Sequence, residues 1–194
     1  MPPIILASRS PRRSDLLEQA GYEFIVEPAA SGAECGVCSG ETPREFVARL
    51  AYQKTADVAK RLGRGLILGC DTIAEHQGRI FGKPENEKQA KDTLNSLSGQ
   101  EHRVHTGICL WDYPSGKPDI RIDTTHLRMD KLSETQLVEY LDSGEWEGKA
   151  GAFGFQDRLG WVHIVQGSES NVVGLPLELL QSMIDDYRKN RAER

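Results

Sequence analysis

Apolar and polar residues alternate along the chain with two periods, which indicates short strands separated by amphipathic helices. The first apolar run, Ile4 to Ala7, predicts a strand. Ser10-Pro11 then offers an N-cap followed by proline at the first helical position, where its missing N–H costs nothing. The helix that starts there buries one apolar face and ends at Gly21, a residue suited to the left-handed C-cap conformation.

A second helix is predicted from the capping box Thr42-Pro43-Arg44-Glu45 to about Leu62. One ridge of this helix is formed by Val47, Ala51, Lys54 and Val58. Lys54 is therefore a basic residue on an apolar face, and its ammonium must reach either solvent or an anion.

The uninterrupted apolar run from Leu66 to Gly69 predicts a buried strand, with Asp71-Thr72 at its carboxyl end. Ligands of open α/β sheets bind at that end of the strands. The remaining pattern predicts a hairpin at Gly78, a helix from about Glu87, strands at 104–110, 120–124 and 161–165, a helix after the capping box at Ser133, and a last helix from Pro176. Because no repeat or Pro/Ser-rich linker interrupts this series, we expect one α/β domain over residues 1–194 with a mixed sheet.

The composition excludes several classes of protein. The mean hydropathy is -0.49, and no uncharged apolar run approaches the roughly 20 residues that cross a bilayer, so no membrane span is expected. A net charge of -5 and a pI near 5.6 argue against a nucleic-acid partner and require local basic groups to hold any anionic ligand. The first residues carry no basic segment before their apolar stretch, and with four cysteines we expect a cytoplasmic protein with reduced thiols.

Several charged residues lie where they could handle a phosphorylated ligand. Arg12 and Arg13 fall in the first helical turn, and their guanidinium groups either help to form a phosphate site or are simply solvated. The phosphate site is favoured, because the backbone N–H groups and the helix dipole attract an anion at this end and oppose basic residues without one. Asp71 suits a general base, a metal ligand or a turn-forming residue. Lys83 could direct an ammonium at phosphate or be an ordinary surface lysine, and the Gly-rich segment from Gly148 to Gly154 could approach a ligand or simply connect.

The cysteines and histidines give weaker signals. Cys35 and Cys38 have the spacing of a redox or metal-binding pair, but a closed zinc site would need two further ligands, so we expect loop thiols. The five histidines show no metal-binding spacing, and we expect His102 and His105 to be structural. Neither a P-loop nor a Rossmann glycine fingerprint occurs.

Several short motifs follow one another in a fixed order. They are Ala7-Ser8-Arg9-Ser10-Pro11-Arg12-Arg13, Ala48-Arg49-Leu50-Ala51 with Lys54, Gly69-Cys70-Asp71-Thr72, Gly82-Lys83-Pro84, Leu97-Ser98-Gly99 with His102 and Thr106-Gly107, Lys149-Ala150-Gly151-Ala152 with Gln156, and Asn171-Val172-Val173-Gly174-Leu175-Pro176-Leu177. From about residue 4 to residue 187, this series resembles the Maf family of nucleoside triphosphate pyrophosphatases.

The resemblance implies an α/β fold with an elongated mixed β-sheet flanked by helices and two lobes with a cleft between them, of the Maf and ITPase-like type. It also implies hydrolysis between the α and β phosphates, a divalent cation (Mg²⁺ or Mn²⁺), and a possible homodimer. By the same resemblance Asp71 is the general base and a metal ligand with Glu34, for which Glu41 is the fallback. The substrate-binding residues that it implies are Ser8, Ser10, Arg12, Arg13, Lys54, Thr72, Lys83 and Gln156.

The loop with Gln156 resembles the branch of the family that acts on dTTP and UTP, and its amide suits the imide edge of thymine or uracil. Gln156-Asp157-Arg158 departs from the more usual Gln-Gly at this point, which affects loop shape and base preference. The alternatives are a pyrophosphatase for modified nucleotides such as 7-methyl-GTP, and a nucleotide-binding regulator of cell division with little catalysis. A redox switch at Cys35 and Cys38 is a third hypothesis.

Overall fold

The computed structural model describes residues 1–33, 36–157 and 159–192 and contains one mixed sheet. Its strands are β1 (Ile4–Leu6), β2 (Phe24–Val26), β3 (Gly65–His76), β4 (Arg79–Phe81), β5 (Glu101–Tyr113), β6 (Asp119–Met129) and β7 (Val162–Gln166). They lie in the order β2-β1-β3-β5-β6-β7, and β4 pairs with β3. The contacts of β1 with β2 and β3 are parallel, and all the other pairs are antiparallel.

Helices flank this sheet. They are α1 (Pro11–Gln19), α2 (Pro43–Leu62), α3 (Glu87–Leu97), α4 (Glu134–Asp142), α5 (Glu169–Val173) and α6 (Leu177–Ala192), with single 3-10 turns at Ala150–Ala152 and Phe155–Asp157. The capping boxes predicted at Thr42 and Ser133 are confirmed. Ser10 occupies the N-cap position of α1 as expected, but its side chain makes no capping hydrogen bond.

Two glycines bring α2 unusually close to the sheet. A Cβ atom on Gly69 would lie 2.5 Å from the carbonyl oxygen of Ala51, and one on Gly107 would lie 2.4 Å from that of Val47. Since real Cβ atoms do not approach oxygen so closely, only glycine allows the helix backbone to pack directly on β3 and β5. This close packing carries Lys54 of α2 to the middle of β3.

The described residues form four apolar clusters; two small ones lie between α2 and the sheet, and the two largest lie toward opposite ends of the long central strands. One apolar cluster lies among β1, α1 and α6 and includes Leu6, Leu17, Leu68 and Leu180. The other lies among β4, α3, α4 and β7 and includes Phe81, Leu94, Leu127 and Trp161. The expected fold, a mixed sheet flanked by helices with two lobes, is confirmed. No helix among the described residues is both long and apolar enough to span a membrane.

One sequence prediction about β3 is wrong. The strand does not end before Asp71 but runs on to His76, because β5 pairs with it from Gly65 to Glu75. On its other edge, β1 pairs with residues 66–68 and β4 with residues 74–76. Within the described part of the chain no strand covers residues 69–73 on that edge, so the ligand-accessible position of Asp71 comes from this gap instead of a strand end.

Candidate active site

A cleft opens at this gap in the edge of β3. It is lined by Ser10, Arg12, Arg13, Lys54, Asp71, Thr72, Lys83, Lys149, Ala150, Phe153, Gly154, Gln156, Val172 and Val173. Eight of the residues predicted for the site are among them, although they come from distant parts of the sequence. The short β1 carries the chain into α1 on one side of the gap, and the hairpin of β3 and β4 leads to Lys83 on the other.

Asp71 and Lys54 form an ion pair at the base of the cleft. Lys54 Nζ lies 2.6 Å from Asp71 Oδ1, and the two side chains are only 11% and 12% exposed. The same ammonium donates to the backbone oxygen of Cys70 at 3.4 Å. The anion that the apolar position of Lys54 requires is therefore supplied, in this structure, by Asp71.

Arg13 is buried behind the pair and joins three segments of the chain. Its Nη1 donates to Ser8 Oγ at 2.9 Å, its Nη2 to Thr72 Oγ1 at 3.1 Å, and its Nε to the carbonyl oxygen of Gly174 at 2.8 Å. Ser8, predicted to bind substrate, lies outside the cleft lining and serves as an acceptor for Arg13 and for the N–H of Ser10.

Positive charge is concentrated in the cleft. Desolvation, and then the charges of Arg13 and Lys54, lowers the pKa of Lys83. Desolvation, and then the charge of Arg13, also lowers the pKa of Arg12. These cations destabilise one another, so a polyanion in the cleft would relieve their repulsion.

The hydroxyl of Thr72 has a defined direction. Thr106 Oγ1 donates to the carbonyl oxygen of Asn171 at 3.1 Å, so in the 3.0 Å contact between the two threonines Thr72 is the donor. The proton of Thr72 is thus committed to Thr106, and one of its lone pairs accepts from Arg13. Toward a ligand, this hydroxyl can only accept a hydrogen bond.

The segment from Gly148 to Asp157, here called the Gln156 loop, forms the far wall of the cleft. A 3.0 Å hydrogen bond from Gly151 N to Gly82 O joins its backbone to the residue that follows β4. Arg12 Nη2 reaches from α1 to the carbonyl oxygen of Gly148 at 2.9 Å. The sequence left two interpretations of this glycine-rich segment, a ligand contact or a plain connection. Its position in the cleft wall agrees with the ligand contact.

A model of the family described as Maf-like protein matches residues 3–187. The chain belongs to the Maf family. Among its relatives, the dTTP/UTP pyrophosphatase of Rhodopirellula baltica is 51% identical over 188 residues, which are 96% of this chain and 83% of the relative. The dTTP/UTP pyrophosphatase of Ruminiclostridium cellulolyticum is 41% identical over 184 residues, or 94% of each chain.

A solved structure of low sequence identity has a similar fold. The HAM1 protein from Coxiella burnetii superposes with a TM-score of 0.51 at 15% sequence identity, and the match covers 96% of this chain and all of the other. At that identity the likeness concerns the fold alone.

The metal site predicted for this Maf chain has one described carboxylate in the cleft. Among the described residues, Lys54 is the hydrogen-bond partner of the Asp71 carboxylate, through Oδ1, so Oδ2 is a candidate metal ligand. The fallback Glu41 is held instead by Arg49 at 2.6 and 2.7 Å and is not part of the cleft lining. Glu34 lies outside the described residues, as does Cys35 of the predicted thiol pair.

No three His, Cys, Asp or Glu side chains within residues 1–33, 36–157 and 159–192 could hold a metal by themselves. One carboxylate nevertheless fits Mg²⁺, which commonly keeps several waters and binds through one or two carboxylates and the phosphates of a substrate.

His102 and His105, expected to be structural, are indeed buried in β5.

Sequence reasoning assigned no role to several residues of the Maf cleft. Phe153, Val172 and Val173 add apolar surface, and Lys149 lines the same wall as Gln156. All four lie in or beside the motifs that carry the family resemblance, and this position was the signal that could have pointed to them. Their side-chain types alone do not distinguish cleft residues from core residues.

Proposed function

We propose that this protein hydrolyses dTTP and UTP to the nucleoside monophosphate and pyrophosphate. The observation that carries the proposal is the placement of Arg12, Arg13, Lys54 and Lys83 around the carboxylate of Asp71 in one cleft. A cluster of cations suits a triphosphate, and the carboxylate beside them supplies a base. The names of the Maf relatives, dTTP/UTP pyrophosphatase, favour the same reaction.

In the proposed reaction, Asp71 accepts a proton from the water that attacks the α phosphorus. The water oxygen forms a bond to the α phosphorus. The bond between this phosphorus and the oxygen that bridges it to the β phosphorus breaks, so pyrophosphate leaves. Lys54 holds the carboxylate through Oδ1, which fixes the orientation of the base. Arg12 and Lys83 lie where they can neutralise the charge that would otherwise repel the incoming oxygen.

Asp71, together with Glu34, would hold a divalent cation, Mg²⁺ or Mn²⁺. When bound, such an ion supplies charge neutralisation and polarisation of the phosphoanhydride.

The donor and acceptor pattern in the cleft favours thymine and uracil over cytosine. Thr72 can only accept, and the N3–H of thymine or uracil is a donor, whereas N3 of cytosine is an acceptor. The amide of Gln156 can donate to a carbonyl oxygen of the same imide edge. A site built to hydrogen-bond one edge rejects an analogue that leaves its polar groups unpaired.

The test is release of pyrophosphate from dTTP, UTP, CTP, their methylated forms and 7-methyl-GTP with Mg²⁺ or Mn²⁺, beside Asp71→Asn. We expect turnover of dTTP and UTP that falls by roughly 10²- to 10⁴-fold in the variant. The matched control is Asp130→Asn, an exposed aspartate that pairs with His163 outside the cleft, and its turnover should be that of the parent protein.

Each other outcome points to a different function. Turnover of 7-methyl-GTP alone would assign the protein to modified nucleotides. Tight nucleotide binding without pyrophosphate would favour the regulator. Full activity of Asp71→Asn would remove Asp71 from the role of base.

The proposal also places the enzyme in the cytoplasm, where the buried thiols Cys70 and Cys109 stay reduced.

A further inference from the structure

The Gln156 loop is closed by an ion pair that the proposed reaction does not use. Lys149 Nζ lies 2.5 Å from Asp157 Oδ2, and the two side chains are 8% and 11% exposed. The two residues lie at either end of the two 3-10 turns, eight positions apart along the chain. Their contact therefore joins the beginning of the loop to its end.

This pair lies directly against the backbone that faces the cleft. A Cβ atom on Gly154 would lie 2.5 Å from Asp157 Oδ2 and 2.8 Å from Lys149 Nζ. Gly154 itself lines the cleft, two residues before Gln156. A displacement of the pair would therefore move the cleft wall at the position from which the Gln156 amide is presented.

Asp157 is also anchored to α4, which shares an apolar cluster and a lobe with Ala152 and Phe153 of the same loop. Tyr140 of α4 donates its hydroxyl to Asp157 Oδ2 at 3.3 Å. Burial, and then the negative charge of Asp157, raises the pKa of Tyr140, so the phenol keeps its proton and remains a donor. The ring of Tyr140 packs edge-on against Trp161 with 5.4 Å between centroids, which fixes the anchor in the core of that lobe.

Lys149 has a second, weaker partner. Its ammonium lies 3.0 Å from Glu145 Oε2, but the Glu145 side chain is 58% exposed and its charge is screened by water. Without Asp157, Glu145 would be the one carboxylate left to the buried ammonium among the described residues. The ammonium would be driven to reorient, because an uncompensated buried charge is strongly unfavourable. Since Lys149 also lines the cleft, reorientation would change both the loop and the charge of the substrate site.

We propose that the Lys149–Asp157 pair is a positioning device that holds the Gln156 loop in shape, and that Asp157 thereby determines how selectively the cleft accepts thymine and uracil. A buried electrostatic contact at this point restrains the loop backbone. The kinetic part of this inference rests on the proposed function, whereas its structural part does not.

The test compares Asp157→Asn, which removes the charge and keeps the shape, with Glu145→Gln, which removes the exposed partner of the same lysine. We expect Asp157→Asn to raise KM for dTTP and UTP about 10-fold with kcat within about 3-fold, and to reduce the preference for dTTP over CTP about 10-fold. Glu145→Gln should change each quantity less than about 2-fold.

Hydrogen exchange followed by mass spectrometry gives a readout that needs no turnover. In Asp157→Asn, amides of the segment 150–157 should exchange about 10-fold faster while those of β3 are unchanged, and Glu145→Gln should alter neither. If Asp157→Asn unfolds during purification, the double variant Lys149→Met with Asp157→Asn removes both charges. It is expected to regain stability while the amides of the segment 150–157 still exchange rapidly.

Unchanged exchange of the loop in both variants would overturn the inference. A fall in kcat at constant KM would overturn it as well, because Asp157 would then act on the chemical step. If the parent protein fails to turn over dTTP and UTP, the proposed function fails, and the exchange experiment still decides whether the pair holds the loop.

Discussion

Lys54 Nζ lies 2.6 Å from Asp71 Oδ1, and both side chains are largely removed from solvent. The pair joins the middle of α2 to the middle of β3, at the gap in the strand's edge where the cleft opens. In the proposed reaction each group therefore serves both the other member of the pair and the substrate. Such a pair stabilises the fold only as long as both charges are present.

A double-mutant cycle with Lys54→Met and Asp71→Asn should measure this dependence. We expect each single variant to lower the free energy of unfolding, and the double variant to recover part of the loss, with a coupling energy of about 1–3 kcal/mol. Urea denaturation of the four proteins gives the value. A control cycle on the exposed pair Arg188 and Asp185 should give less than about 0.5 kcal/mol, and equal coupling in both cycles would contradict the prediction.

Arg12 and Arg13, adjacent in sequence, should respond differently to substitution. Arg13 is buried and uses three nitrogen atoms to hold separate segments, so Arg13→Lys should lower the free energy of unfolding by about 2–4 kcal/mol. Arg12 makes one exposed hydrogen bond to Gly148, and Arg12→Lys should cost less than about 1 kcal/mol while lowering kcat/KM for dTTP. Chemical denaturation and initial rates separate the two effects, and equal loss of stability would be evidence against this assignment.

The longer helices could be predicted from the sequence because their signals are local, whereas the full extent of β3 could not. The proline and capping box at Thr42 and the glycine at position 63, with φ of 75°, define both ends of α2 within the chain's own neighbourhood. β2 and α5, with three and five residues, are too short to show a hydrophobic period. Pairing with β1 holds β2, and the Ser168 N-cap and packing against β5 and β6 hold α5.

The motifs predicted which residues meet in the cleft but not how those residues contact one another. Matched motifs named Asp71, Lys54 and Arg13, but no pattern in the sequence shows that Lys54 contacts Asp71 or that Arg13 is consumed by contacts within the protein. The ladder between β3 and β5, which carries Asp71 to mid-strand, depends on residues more than 30 positions away. Long-range pairing of this kind leaves no local trace in the chain.

The direction of the Thr72 hydroxyl gives a test of base selection. Thr106→Val keeps the shape of the side chain but removes the acceptor for the Thr72 proton, so Thr72 becomes free to donate to N3 of cytosine. We expect kcat/KM for CTP relative to dTTP to rise about 10-fold. Thr72→Val, which removes the hydroxyl itself, should instead lower kcat/KM for dTTP. An unchanged ratio of CTP to dTTP in Thr106→Val would show that Thr72 does not read the base.

Close packing of α2 on the sheet predicts an unusual sensitivity to one added carbon atom. Gly107→Ala would place Cβ 2.4 Å from a backbone oxygen of α2, which neither the strand nor the helix can avoid by rotating a side chain. We expect a loss of about 3 kcal/mol or more in the free energy of unfolding. The matched change Gly36→Ala has no atom within 4 Å of the new carbon and should be nearly neutral by the same denaturation assay. A tolerated Gly107→Ala would mean that the helix can move away from the sheet.

The buried imidazole of His102 predicts a loss of stability in mild acid. His102 is 3% exposed and packs edge-on against Phe153 of the cleft wall, and burial lowers its pKa from 6.5 to about 4. The unfolded chain therefore binds a proton between pH 6.5 and pH 4 that the folded chain does not, so stability falls as the pH falls through this range. The contribution reaches about 3 kcal/mol at pH 4 and is absent above pH 7. Burial lowers the pKa of His105 as well, so the effect of one variant is partial. Tm measured from pH 8 to pH 4 should decrease less steeply for His102→Gln than for the parent protein, and parallel curves would show that His102 is protonated equally in both states.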